Sequence, residues 1–347
     1  VLITGHTGFK GSWLSIWLKK LGAEVIGFSN LVPTNPSLYE LSGINSDIIS
    51  VTGDIRDLQT VENIFLQYKP QIVIHMAAQS LVGPSYDDPV ETYSTNVMGT
   101  VNLFEAIRKS NDTSVIINVT SDKCYENKET LNGYVETDKI GGYDPYSNSK
   151  ACSELVTSSF RNSFFKDNPN GKNLASVRAG NIIGGGDWSD NRLVPDIMKS
   201  LQQELSLKIR NPDGIRPWQH VLEPLSGYLV LAQKLYDNRN EYAEGWNFGP
   251  DEQDVQPVNW VLDKMISHWP GSSWELDADS NPHEAGFLKL NISKAINRLK
   301  WKPIWELEKT LLKIIYWHKA WKNQEDMHAF CISEINEYMK DMENENC

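Results

Sequence analysis

The chain has 347 residues, 40% of them hydrophobic and 22% charged, with a formal net charge of −12. That is the make-up of a soluble globular protein of one large or two moderate domains. No apolar run is long enough to span a bilayer, and the acidic balance with no long basic block speaks against nucleic acid or an anionic membrane as partner.

In chain order, Val1–Thr4 reads as a strand that leads into Gly5-His6-Thr7-Gly8-Phe9-Lys10-Gly11 and then a helix over Ser12–Leu21. Because the chain starts inside a strand, its native start is expected to lie upstream. Glu24–Phe28 is a second strand, Ile49–Thr52 a third, followed by Gly53-Asp54-Ile55-Arg56 and a helix over Val61–Tyr68. Gln71–His75 is a buried strand ending on the small pair Ala77-Ala78, and Val97–Ser110 is a helix in which Gly99 permits close packing. Ser114–Thr120 is a strand that runs into Ser121-Asp122-Lys123. Strand–helix units of this length imply a doubly wound parallel sheet, an α/β Rossmann arrangement with ligands at the carboxyl ends of the strands.

Beyond it, Ala175–Arg178 is a strand, Gly184-Gly185-Gly186 a turn, Leu225–Tyr236 a helix and Gly245–Gly249 a return strand. The expected division is a nucleotide-binding domain over 1–181, to which 219–250 return, and a smaller mixed α/β substrate lobe mainly from 182–347. The charged tail from Asn323 reads as a surface helix. Four scattered cysteines and no His-x-x-x-His or Cys-x-x-Cys point to a reducing cytoplasm and give no support to a metal site.

Gly5, Gly8 and Gly11 sit between a strand and a helix, the context of a dinucleotide fingerprint. The first allows a tight turn, the second lets a pyrophosphate reach the backbone, and the third lets the helix pack on its strand. Free N–H groups at the helix start, around His6, Thr7, Phe9 and Lys10, then face phosphates. Asp54 is expected to accept from an adenine amino group with Ile55 against the ring; a plain strand-end cap is the alternative. Ala77, Ala78 and Gln79 line the next strand end. The usual ribose-binding acid is missing, because the second strand ends Gly27-Phe28-Ser29-Asn30, and no arginine stands there for a 2′-phosphate. NAD is the expected cofactor.

Tyr146 and Lys150 lie four residues apart, on one face of a helix. A nearby ammonium favours a phenolate, so Lys150 is expected to draw the Tyr146 pKa toward neutrality and make it a base for a substrate hydroxyl.

These motifs together resemble the extended short-chain dehydrogenase/reductase family across essentially the whole chain. Thr120–Tyr125, Tyr93–Thr100, Ile215–Val221, Gly184–Trp188 and His283-Glu284-Ala285 are similar to its nucleotide-sugar 4,6-dehydratases, and Leu299–Pro303 to a C-terminal hallmark of nucleotide-sugar members generally. The resemblance implies a CDP-linked glucose as substrate, oxidised at C4, dehydrated across C5 and C6, and reduced at C6 by the same hydride, as a step of deoxysugar or O-antigen polysaccharide biosynthesis.

In that scheme Tyr146 deprotonates the 4-hydroxyl, Lys150 supports it and holds the nicotinamide ribose, and Ser121 positions the C4 oxygen. Asp122 protonates the leaving C6 hydroxyl, which needs a raised pKa. Lys123 takes the C5 proton, which needs a pKa well below the usual value of about 10.4, through burial or a neighbouring cation. Arg216, and after it Arg192, are the candidates for a substrate diphosphate, because guanidinium groups offer fixed, forked donors; the resemblance adds Asn181, with Ser85 and Asn96 as lesser candidates near the sugar and cofactor, and His283 as a substrate candidate whose alternative is a structural histidine. Trp218 and His220 read as core residues. A homodimer or a dimer of dimers is implied, through Val97–Ser110 and Ser153–Phe165. A 4-epimerase shares Tyr146, Lys150 and NAD but has no use for Asp122-Lys123 as an acid–base pair; a NAD-binding regulatory protein has no use for the catalytic tyrosine and lysine.

Overall fold

The computed structural model describes the chain except residues 131, 167–170, 210, 270–272, 277–286 and 346–347. Seven strands form one parallel sheet: β1 Leu2–Thr4, β2 Ile26–Ser29, β3 Ile49–Thr52, β4 Ile72–His75, β5 Val115–Val119, β6 Asn173–Ala179 and β7 Gly245–Phe248. Their spatial order is β7-β6-β5-β4-β1-β2-β3. The order reverses between β1 and β4, which opens a crevice at their carboxyl ends. Register is set by the period-two alternation of the strands. Leu2, Val73 and Ile116 point to one face with Phe65 and Phe104, while Ile3, Ile74 and Ile117 point to the other with Trp13, Trp17 and Leu225. Each such side chain contributes about 1.5–3 kcal/mol on burial.

Helices cover both faces. They are α1 Phe9–Lys20, α2 Leu58–Tyr68, α3 Gly99–Lys109, α4 Pro145–Phe160 and α5 Leu222–Asn238, followed near the C-terminus by α6 Leu307–Lys322 and α7 Met327–Glu345. The expected elements are all present, with helices extended toward their N-termini where capping chemistry decides. Thus α2 begins at Leu58 because the Asp57 carboxylate accepts from the Gln59 and Thr60 N–H groups. The segment before α3 differs more, since Ser94–Met98 is a turn of π-helix. Gly99 then packs so tightly on Ile55 that a Cβ would lie 2.6 Å from its Cγ2.

The tail is a correction. Residues from Asn323 on are more than a surface helix. Met327, Cys331, Glu334, Ile335 and Tyr338 of α7 are buried, and the Tyr338 ring meets Trp17 of α1 edge-on at 5.7 Å. The apolar positions recur at i, i+4 and i+8, a stripe that the surrounding charges obscure in the sequence. The Tyr338 hydroxyl donates to Glu223 at 2.6 Å.

Outside the sheet, Ile215–Pro217 pairs antiparallel with Val255–Pro257, and Leu207–Ile209 pairs with Trp274–Leu276. A separate apolar cluster centres on Met198, Trp218, Leu262 and Leu311. Trp218 is buried in it, and its indole N–H donates to the Gln256 carbonyl.

Candidate active site

The loop after β1 is shaped for close approach. Gly5 has φ +79° and a Cβ there would meet the Ala77 nitrogen at 2.8 Å; a Cβ on Gly11 would overlap the Gly5 carbonyl. Both positions therefore need glycine. Gly8 caps α1 with extended backbone and no side-chain partner, leaving the first N–H groups of the helix free. A cradle of this form fits a pyrophosphate at a helix N-terminus.

Other residues of the expected cofactor set turn out to be braces. The His6 ring lies against Gly27, sharing hydrogen bonds with the hydroxyls of Ser29 (2.9 Å) and Ser50 (2.8 Å), and burial pulls its pKa down to about 4. The Thr7 hydroxyl donates to the Leu31 carbonyl. Asn96, in the π turn, grips the backbone of Gln79 from both sides: its Oδ1 accepts from the Gln79 N–H and its Nδ2 donates to the Gln79 carbonyl and to Ser149 Oγ. That clamp fixes the chain just after Ala77 and Ala78. Asp54 is held by Arg56, whose guanidinium lowers its pKa, and it accepts from the Arg56 N–H as a strand-end cap does. Ile55 is buried against Gly99. Phe9 opens α1 and touches the Gly184 turn.

The second half of the site is assembled by β5 and α4. Asp144 caps α4 by accepting from the Ser147 N–H and hydroxyl, with Pro145 at the first helical position. This brings Tyr146 and Lys150, both buried, over the end of β5, where the Lys150 amine donates to the Val119 carbonyl at 3.2 Å. The Tyr146 phenol interacts with the Ser121 hydroxyl, and Arg192 stands close enough to favour its ionised form. Even so, the expected fall in the tyrosine pKa is not seen. Burial outweighs the Ser121 and Arg192 contributions and pushes Tyr146 up to about 12. Lys150 is itself drawn down to about 8 by burial, so it is a weaker source of positive charge than an exposed lysine.

Asp122 is buried, with Oδ1 accepting from Ser121 Oγ at 3.0 Å and Oδ2 unpartnered. Burial raises its pKa against the opposing pull of Lys123 and Arg216. A carboxyl in this setting can carry a proton to a leaving group. Lys123, in contrast, is exposed, so the burial expected of it is absent here. Besides Lys150, burial also depresses Lys10 at this site, down to about 7, with Lys150 and Arg192 reinforcing the effect and Asp122 opposing it. Its ammonium lies 5.6 Å from the Tyr228 ring centre.

Arg192 donates to Asp187 and to Ser80, each at 3.3 Å. Arg216 extends from Ile215–Pro217 and acts on Asp122. Asn181 follows β6 and its carbonyl accepts from the Gln219 N–H. Ser85 is fully buried with its hydroxyl turned to the Val82 carbonyl. His220 is buried, accepting from the Leu222 N–H and facing Glu334, a structural role. His283 lies outside the described residues. Sequence reasoning missed Gly142 and Gly180, where a Cβ would overlap Ser147 and Asp122. It also missed the buried Glu154–Arg178 pair. Gly180 and the ion pair are settled by contacts distant in the chain, and Gly142 by the way the chain folds back on the start of α4.

A crevice at the strand-order reversal, a glycine cradle and a Ser/Tyr/Lys cluster define a dinucleotide-dependent enzyme of the short-chain dehydrogenase/reductase type. The chain belongs to the GDP-mannose 4,6-dehydratase family, whose model matches residues 2–314. It is 54% identical to a curated CDP-glucose 4,6-dehydratase of Salmonella typhimurium (strain LT2) over 345 residues, 98% of this chain and 96% of that one. A dTDP-glucose 4,6-dehydratase of Xanthomonas campestris pv. campestris is 24% identical over 91% of the chain and 92% of its own. Among solved structures, the dTDP-glucose 4,6-dehydratase of Bacillus anthracis in complex with NAD superposes with a TM-score of 0.77 at 21% identity, covering 92% of this chain and 96% of that one. A UDP-glucose-4-epimerase of Stenotrophomonas maltophila with bound NAD gives 0.81 at 20% identity, covering 93% and 98%. At these identities the two structures speak for the fold alone.

Proposed function

We propose that the chain is an NAD-dependent hydro-lyase converting CDP-D-glucose to CDP-4-dehydro-6-deoxy-D-glucose. The single observation that carries the chemistry is Asp122: a buried carboxyl with a raised pKa, hydrogen-bonded to Ser121 beside the Tyr146 phenol. The 54% identity to a CDP-glucose 4,6-dehydratase carries the choice of sugar nucleotide.

The Gly5–Gly11 cradle would hold NAD, which when bound would supply the hydride acceptor for oxidation at the sugar C4 and the hydride donor for reduction at C6. Tyr146 takes the proton of the 4-hydroxyl, and Ser121 orients that oxygen by a hydrogen bond. Lys150 holds the nicotinamide ribose and favours the phenolate. Lys123 takes the C5 proton, made acidic by the C4 ketone; substrate covering this exposed amine supplies the desolvation that a neutral lysine needs. Asp122 gives its proton to the C6 hydroxyl as water leaves. Arg216, Arg192 and Asn181 bind the diphosphate, arginine being suited to it by its forked donors.

In this reading residues 1–181 with 219–250 bind NAD and 182–347 mainly bind the sugar nucleotide. The protein works in the cytoplasm as a homodimer through the α3 and α4 faces, where Met98 just before α3, Leu155 of α4 and Phe164 just after α4 are exposed. A 4-epimerase needs no elimination acid, so Asp122 favours dehydration.

Incubation with NAD and each of CDP-, dTDP-, UDP- and GDP-hexoses, read by mass, tests the proposal. Loss of one water from CDP-glucose alone is expected; turnover of another hexose in its place, or a product of unchanged mass, overturns it.

A further inference from the structure

The helix that carries Tyr146 and Lys150 carries a third ionisable side chain on the same face, Glu154, four residues further on. It is buried, with its side chain 5% exposed, and ion-paired at 2.8 Å with Arg178 of β6, which is 6% exposed. Its Oε1 accepts from the Thr120 hydroxyl at 2.5 Å, and its Oε2 accepts from Ser176 Oγ at 2.7 Å as well as from Arg178. Arg178 in turn donates to the Tyr125 hydroxyl at 2.7 Å and to the Glu136 carbonyl at 3.0 Å. Thr120 and Tyr125 bracket the turn that presents Ser121, Asp122 and Lys123. One ion pair thus grips both ends of the catalytic turn and anchors them to the catalytic helix.

A buried pair of this kind is weak evidence for stability, because desolvating two charges offsets much of their attraction. A role in the reaction is the better account. We infer that Glu154 is a positioning residue for this active site: it ties both ends of the 121–123 turn to the helix of Tyr146 and sets a carboxylate one helical turn from Lys150. The surroundings of Lys150 make the need clear. On its own helix it has Tyr146 and Glu154; from β4 the neutral, buried His75; from α1 the amine of Lys10; from the catalytic turn the thiol of Cys124. Burial drives Lys150 toward its neutral form, and Glu154 is the main influence holding its proton on. An amine that has lost its proton cannot favour the Tyr146 phenolate.

The inference rests on Tyr146 and Lys150 being the catalytic pair. Two readouts test it: side-chain 15N NMR titration of the ligand-free protein, with the Lys150 signal assigned by its loss in Lys150→Arg, and the pH dependence of 4-keto product formation from CDP-glucose. In the wild type the Lys150 amine should titrate near pH 8 and activity should fall along the same limb. In Glu154→Gln both should move to lower pH by about one unit, a tenfold change in the protonation equilibrium. Glu154→Asp should restore most of it. Because Glu154→Gln leaves Arg178 unpaired, the double variant Glu154→Leu/Arg178→Met, which removes both charges, serves as the folded reference and should show the same acidward shift. A Lys150 titration at the wild-type position in either variant overturns the inference. Failure of the wild type to react with CDP-glucose would instead count against the proposed function, and the NMR titration would still decide the role of Glu154.

Discussion

Gly180 faces Asp122 so closely that a single methyl group on residue 180 would overlap the Oδ2 of the carboxyl. The end of β6 therefore leaves a hydrogen-sized gap that decides where the acid of the elimination step stands. Gly180→Ala should displace Asp122 at a packing cost of about 1–3 kcal/mol. C4 oxidation, which depends on Tyr146, should persist while water loss falls at least tenfold. Rapid-scan absorbance for NADH, paired with product mass, separates the two steps; equal loss of both would show that the backbone has shifted as a whole.

Asp122→Asn tests the same step from the other side. The amide keeps the size and the contact with Ser121 but has no proton to give. Elimination should fall by about 100- to 10,000-fold, the usual worth of a general acid, with NADH accumulating on the enzyme.

The site holds three lysines, and only one is assigned to C5. Lys123→Met should abolish exchange of the C5 proton into deuterated water. Lys10→Met should leave exchange in place, even though Lys10 is the amine that burial brings down to about 7. The reverse pattern, read by NMR of recovered sugar, would move the base from the catalytic turn to α1.

Acid should unfold the protein through its buried histidines. His75, bonded on both ring nitrogens to the hydroxyls of Thr4 and Thr100, is pulled down to about 3 by burial and by Lys150. His6 is pulled down to about 4. In the unfolded chain both would protonate near pH 6.5. Between those values the unfolded state binds more protons, so stability is present above about pH 6.5 and is lost as pH falls toward the folded-state values. Each histidine should contribute a slope of about 1.4 kcal/mol per pH unit. His75→Gln should flatten that limb in denaturant melts measured from pH 7 to pH 4.

Much of this was legible in the sequence because the informative residues are local. The parallel sheet follows from repeated apolar strands, the cradle from Gly5, Gly8 and Gly11, and the catalytic helix from Tyr146 and Lys150. What escaped depends on partners distant in the chain. The tyrosine pKa was expected to fall from its lysine neighbour alone, but burial of the phenol, a property of the whole fold, dominates. Lys123 was expected to be enclosed, yet the 3-10 turn over Asp122–Cys124 buries its neighbours on either side and leaves it exposed. Asn96 reads as a ligand by motif and turns out to clamp Gln79, a contact created by the π turn. The burial of α7 and the Glu154–Arg178 pair were invisible for the same reason, since Trp17, Glu223 and Arg178 lie far away in sequence.

The position of β7 has a consequence for synthesis. It is the outermost strand, laid against β6, yet it comes from residues 245–248. While the ribosome is still making the segment between them, the buried, apolar β6 has a bare edge of unpaired amides and carbonyls. Such an edge recruits strands from other chains. Nascent protein stalled or truncated ahead of residue 245 should therefore aggregate, although every residue of the cradle and of the Ser121–Lys150 machinery has already been made.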